Sequence, residues 1–370
     1  MKDSRNQKLA QLLVNYSLEL KKGNKLIIEG SEAAIPLIKE VYKEALKAGA
    51  HPEIHIALSA VKEFLLKEGT EEQLKYVSII ETQTLENYDA VLTIWGDYNT
   101  KSLSNVEPKR IAMHRLARKD LRMKFFKRIA EGDAKWCGTQ FPTHSDAQEA
   151  GMSLEEYEDF VYGAGLLYAS DPTEKWKEVS VQQEKICKFL NGKKSLRIVS
   201  KDTDITMSVQ GRKWINCDGK ENFPDGEVFT TPVKESVNGH IRFTFPAIYS
   251  NREVEDIILT FKDGKVVQAS AEKGEEFLIS VLDTDEGARY LGEVAIGTNY
   301  GIKNFTKNIL FDEKIGGTVH MAVGSGFEET GGTNDSSVHW DMICDMRDGG
   351  KIFADEELIY ENGKFVIDFE

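Results

Sequence analysis

SSVHWDMICDM, residues 336–346, follows a run of glycines and small polar residues, GSGFEETGGTND (324–335). Read as a half-buried strand, it places His339 and Asp341 on one face and Val338, Trp340 and Met342 on the other, because successive strand side chains point to opposite sides. On a helix the same His-x-Asp pair would be separated by roughly 200° and could not act together. The alternation therefore predicts a sheet that packs an apolar face and delivers two metal-binding side chains from the other. An isolated His-x-Asp on a strand is also what an ordinary solvent-facing sheet edge looks like, so the rest of the chain has to decide.

Working outward, His320 closes the glycine-rich IGGTVH (315–320) and opens MAVGSGF (321–327), another strand leaving a tight turn. His320 and His339 thus flank one loop from which two strand ends converge. A divalent cation held by imidazoles also needs hard oxygen donors. Glu227 in NFPDGEVFTTP (222–232) starts an apolar strand after a Pro-Asp-Gly turn, and Glu293 interrupts the otherwise buried-looking YLGEVAIGTN (290–299). A carboxylate in such a strand is costly unless paired or coordinated. Taken singly each reads as a surface or salt-bridging glutamate. Together, Glu227, Glu293, His320, His339 and Asp341 supply what a pair of divalent ions roughly 3.5–4 Å apart requires.

The chain has 370 residues, more than one typical core accommodates, and predicts two domains. Helix and strand alternate through the first half: a helix over 4–20, the strand KLIIEG, a Ser-capped helix over SEAAIPLIKEVYKEALKAGA, the strand HPEIHIAL, a helix near 60–67, the strand DAVLTIWG (89–96), a charged helix over 109–128, the strand AKWCGTQFP (134–142) and helices within 144–190. This order predicts an N-terminal parallel α/β domain over 1–190. From 191 to 370 strand pairs dominate, with KDGK and ENGK as hairpin turns and GEEFLISVLDT as an interrupting helix, which predicts an antiparallel α+β domain.

Net charge is −14, which argues against nucleic acid or an anionic membrane as partner. The densest cationic stretch, KRIAMHRLARKDLRMKFFKR (109–128), repeats at helical spacing and reads as a solvated helix face or a local patch near a subunit contact rather than a nucleic-acid reader. No run approaches the about 18 apolar residues of a membrane span, and the N-terminus lacks the features of a signal peptide. Cys137, Cys187, Cys217 and Cys344 lie far apart without a Cys-x-x-Cys pair, the pattern of reduced thiols in a cytoplasmic protein. No P-loop and no Gly-x-Gly-x-x-Gly after a strand is present, which disfavours nucleotide and dinucleotide chemistry.

The stretches FPDGEVFTTPV (223–233), YLGEVAIGTN, LFDEKIGGTVHMAVGSGFEETGGTNDSSVHWDMI (310–343) and FPTHSDAQEAGMSLEEYEDF (141–160) make the chain resemble the two-metal aminopeptidases typified by aminopeptidase T and aminopeptidase S of bacteria. The resemblance spans nearly the whole chain and rests mainly on the order Glu, Glu, His, His-x-Asp. It implies that Glu227, Glu293, His320, His339 and Asp341 are the ligands of two divalent ions (zinc, cobalt or manganese), that Glu293 and Glu313 are catalytic, that small peptides are the substrates and that the protein is a homodimer. Two departures stand out. The family tyrosine seven residues after the first metal-binding histidine is Phe327 here, and extra residues separate Glu313 from His320. Phe327 raises a second reading, a metal-binding homologue with weak or no peptidase activity.

Overall fold

The computed structural model describes residues 3–250 and 252–369. The chain groups into two compact units, Met1–Thr173 with Gly219–Pro224, and Glu174–Asp218 with Asp225–Glu370. Helix Pro172–Asn191 therefore lies mostly in the second unit, not in the first as its place in the helix–strand alternation suggests.

In the first unit the strands pair in the order His51–Ala57, Lys25–Ser31, Ala90–Trp95, Lys135–Gln140 and Asn222–Phe223, every neighbour parallel. The last of these returns from the second half of the sequence, and its two residues are too few for any periodicity to reveal. Ile27, Val91, Phe125 and Ala134 form part of the packing on this sheet. Ser31 does not cap a helix as expected. It ends its strand and its hydroxyl donates to the Gly96 carbonyl, and the helix begins at Ile35 with Pro36 in its first turn, where a missing N–H costs nothing.

The cationic stretch forms two helices, Pro108–Leu116 and Lys119–Ala130. Arg118 at the break is buried, against the expectation of a solvated face. Its guanidinium donates to the carbonyls of Leu74, Tyr76 and His114 and pairs with Glu81 at 3.0 Å. A fork of donors with several carbonyls in reach is better satisfied at a helix break than along a continuous helix.

The second unit is built on antiparallel pairing. An eight-stranded sheet runs Lys265–Ser270, Ile257–Lys262, Asn238–Phe243, Thr203–Ser208, Ser195–Ser200, Lys351–Ala354, Glu357–Glu361, Lys364–Phe365. Both hairpin turns form as the sequence predicts, with Asp263 and Gly264 at φ 49° and 83°, and Asn362 and Gly363 at φ 50° and 77°. A five-stranded sheet runs His339–Asp345, Thr318–Gly324, Leu291–Gly297, Glu227–Thr230, Ile215–Cys217, all antiparallel. Among the described residues no helix is long and apolar enough to cross a membrane.

Candidate metal centre

The five-stranded sheet assigns its two faces to different tasks. Val228, Val294, Ile296, Val319, Met321, Val323, Trp340, Met342 and Cys344 enter the main core of the unit from one face. By the two-residue period, Glu227, Glu293, His320, His339 and Asp341 stand on the other. Strand register gathers them: Glu293, Ala322 and Asp341 lie in one cross-strand row, Ala295 pairs with His320, and Gly324 pairs with His339. A bulge between Leu291 and Glu293 sets this register.

His320 Nε2 lies 3.3 Å from Glu227 Oε2 and 3.5 Å from Glu293 Oε1. His339 Nε2 lies 3.3 Å from Glu293 Oε2 and 3.6 Å from Asp341 Oδ2. Donor atoms of Glu227, Glu293 and His320 all fall within 4.8 Å of one another, as do those of Glu293, His339 and Asp341. The five residues anticipated from sequence thus meet as two trios that share Glu293, one oxygen toward each histidine. Glu313 joins a third trio with His320 and Asp341 at the same spacing.

Electrostatics follow from burial. Glu227, Glu293 and His320 are 6%, 5% and 1% exposed. Burial pushes Glu227 up to about 7 and Asp341 up to about 6. Burial also opposes ionisation of Glu293, but hydrogen bonds and charge from His320 and His339 overcome it and bring it down to about 2. Burial works against a charged imidazole at both histidines. Glu227 and Glu293 nevertheless carry His320 up to about 10, and Asp341 and Glu293 do the same for His339.

The donor set fits divalent cations on its own terms. Glu227 Oε2 and Asp341 Oδ1 are buried oxygens without a hydrogen-bond partner, a costly arrangement that a cation relieves. His339 Nδ1 lies 3.0 Å from the Ser325 carbonyl oxygen. Donation to that carbonyl keeps the proton on Nδ1 and turns Nε2 toward the carboxylates, the arrangement of a metal-ligating histidine.

Phe327 packs edge-on against His339 and Phe229, with ring centroids 5.2 and 5.0 Å apart. It gives the His339 side of the site an aromatic wall without a donor. Two residues escaped the sequence reading. Lys314 is fully buried, with its ammonium on the Glu313 carboxylate and 3.5 Å from Glu227 Oε1. Asp225, in the Pro-Asp-Gly turn before Glu227, is 3.8 Å from the same ammonium and 1% exposed. Burial pushes Asp225 well above the usual carboxylate range even beside that cation, whereas Lys314 is held well above the usual lysine range despite burial.

The sequence matches the model of the thermophilic metalloprotease (M29) family over residues 2–365. Aminopeptidase 2 of Geobacillus stearothermophilus is 28% identical, with 92% of each chain covered. Aminopeptidase AmpS of Bacillus subtilis (strain 168) is 27% identical over 98% of this chain and 99% of its own. The solved structure of wild-type AmpT from Thermus thermophilus superposes with a TM-score of 0.86 at 25% identity, covering 98% of this chain and 99% of that one. A match over residues 2–365, with the same fold and a two-histidine, three-carboxylate cluster on one face of a sheet, leads to one assignment: the chain belongs to the thermophilic metalloprotease (M29) family.

Proposed function

We propose that the chain is an aminopeptidase that removes N-terminal residues from small peptides with two divalent ions, one held by Glu227, Glu293 and His320 and the other by Glu293, His339 and Asp341. The observation that carries this reading is the pair of trios sharing Glu293, one buried throughout and the other half-buried at His339 and Asp341. Bound there, the ions would supply a water of lowered pKa and polarise the scissile carbonyl. Nitrogen and oxygen donors without thiolate suit zinc, cobalt or manganese.

The protein's own groups have separable roles in this proposal. Glu293 has one oxygen facing each histidine, so it serves as the shared ligand. Proton transfer then falls to Glu313, whose carboxylate reaches the same space as His320 and Asp341 and takes the proton of the attacking water before returning it to the leaving amine. The Ser325 carbonyl fixes the His339 ring. The clustered carboxylates favour a substrate's free α-ammonium group, which is what restricts such a site to chain ends. Phe327 supplies no hydrogen bond to a developing oxyanion, and a missing donor of that kind typically costs on the order of 10²–10³ in turnover. It leaves both trios intact, and the relatives named above are aminopeptidases, so a non-hydrolysing homologue gains no support. A cytoplasmic homodimer completes the proposal, to be checked by light scattering and cell fractionation.

The test is release of leucine from Leu-Gly and Leu-amide before and after chelation, with metal analysis of both samples. Activity lost with the metal and restored by its return is expected. Turnover that survives removal of all metal refutes the reading.

A further inference from the structure

Lys314 lies in the loop between helix Ile309–Asp312 and strand Thr318–Gly324. An ammonium with no exposed surface persists only with compensating charge, and here it meets the Glu313 carboxylate, Glu227 Oε1 at 3.5 Å and Asp225 Oδ1 at 3.8 Å. The other oxygen of Glu227, Oε2, is the one that faces His320 and lacks a hydrogen-bond partner. The carboxylate is therefore divided, one oxygen toward the ammonium and one toward the ion position. Among the described residues, the Glu293–His339–Asp341 trio has no lysine or arginine in its ion pairs.

Lys314 is also fixed by its backbone. Its N–H donates to the Phe311 carbonyl at 3.0 Å, and its carbonyl accepts from Asn299 N at 3.1 Å. Asn299 in turn donates through Nδ2 to the Asp225 carbonyl at 2.8 Å. Withdrawing the ammonium would disturb this lattice and leave Asp225, Glu227 and Glu313 uncompensated.

Resting on the two-ion reading above, we infer that Lys314 is a positioning residue that holds one oxygen of Glu227 and makes the Glu227–Glu293–His320 position the weaker of the two ion positions. A fixed positive charge beside a ligand carboxylate lowers the negative potential available to a cation in a poorly solvated site. The same charge keeps Glu227 and Glu313 in place when that position is empty. The ion beside His339 stays bound and the one beside His320 exchanges.

The test is calorimetric titration of chelator-treated full-length protein with Mn²⁺ and with Zn²⁺, with bound metal counted independently. The wild type takes up two ions in two resolved steps. In K314M, which keeps the apolar stem and removes the charge, the weaker step tightens by about tenfold or more, and K314R retains the wild-type separation. As a variant that does not disturb the lysine, E227Q abolishes the weaker step and leaves the tighter one. An unchanged K314M isotherm, a single unresolved step in the wild type, or loss of the tighter step in E227Q each overturns the inference while leaving two-ion binding intact. A wild type that binds no ions overturns the two-ion reading and this inference with it.

Discussion

Loading the site with metal should expel protons, and the number follows from the structure. Without metal, His320 and His339 are carried up to about 10, so at pH 7 both imidazoles are charged. A nitrogen must lose its proton to coordinate, so each ion displaces one. Glu227, near 7, is partly protonated at that pH and adds a fraction of another. Uptake of two ions at pH 7 is therefore expected to release about two to three protons. Three pH units separate pH 7 from about 10, which is an opposing term of roughly 4 kcal/mol at the fully buried His320. The term is smaller at His339, whose side chain is 32% exposed. The sign is fixed: affinity rises with pH and levels off above about 10. Calorimetric titration with Zn²⁺ in buffers of different ionisation enthalpy reads the proton count directly as the slope of observed heat against that enthalpy. A slope corresponding to less than one proton would refute the charged-histidine picture.

The same shifts set the stability of the chelated protein. Raised histidines stabilise the fold fully below their ordinary 6.5 and lose that contribution as pH climbs through about 10, and the raised Glu227 and Asp341 push the same way. Glu293, lowered to about 2, contributes above its ordinary 4.5 and loses this as pH falls. Thermal melts in chelator should therefore be highest near pH 4.5 and fall from there toward pH 10, and a flat profile to pH 10 counts against it. Glu293→Gln removes the shared ligand and is expected to abolish Leu-amide hydrolysis with an unchanged circular-dichroism spectrum; full activity would remove Glu293 from the mechanism. Glu313→Gln, which leaves both ligand trios complete, should lower kcat by about 10²–10⁴ with ion stoichiometry preserved, and a wild-type kcat would assign the proton transfer elsewhere. Phe327→Tyr adds a donor beside His339 and should raise kcat by up to about 10², with KM little changed, whereas an unchanged kcat would show that no oxyanion forms within its reach.

The sequence made the sheet legible wherever both of its faces had to be satisfied. In VHMAVG and VHWDMIC the period of two separates Val319, Met321 and Val323, or Trp340 and Met342, from the histidines and Asp341, because a strand with one face in a core has no freedom of register. Glu293 was legible as the one charge in a strand that is otherwise buried. What stayed hidden depends on contacts remote in sequence. Arg118 looked like a surface cation until the carbonyls of Leu74 and Tyr76, more than forty positions earlier, came within reach of its guanidinium. The strand Asn222–Phe223 joins the parallel sheet through two residues only. Nothing in DEK (312–314) marks Lys314 as buried; the carboxylates that compensate it there, Asp225 and Glu227, lie on another strand and the turn before it.

Room for ions has to be built as deliberately as the ligands, and this face of the sheet shows how. Ala295, Gly297, Ala322 and Gly324 share it with the five candidate ligands and leave space beside Glu293, His320 and His339, while Phe229 and Ile343 are the large side chains on this face. Gly292, at the bulge, approaches the Ser325 carbonyl so closely that a β-carbon there would strike it, and that carbonyl orients His339. Thr231 donates to the Gly292 carbonyl at 2.7 Å and accepts from Phe327 N at 3.2 Å. The backbone beside Glu293, the loop holding Phe327 and the ring of His339 are thus tied through one threonine and one glycine. A strand that carried a side chain at 292 would have to move away from Ser325, separating Glu293 from His339 and dividing the site at the residue both trios share.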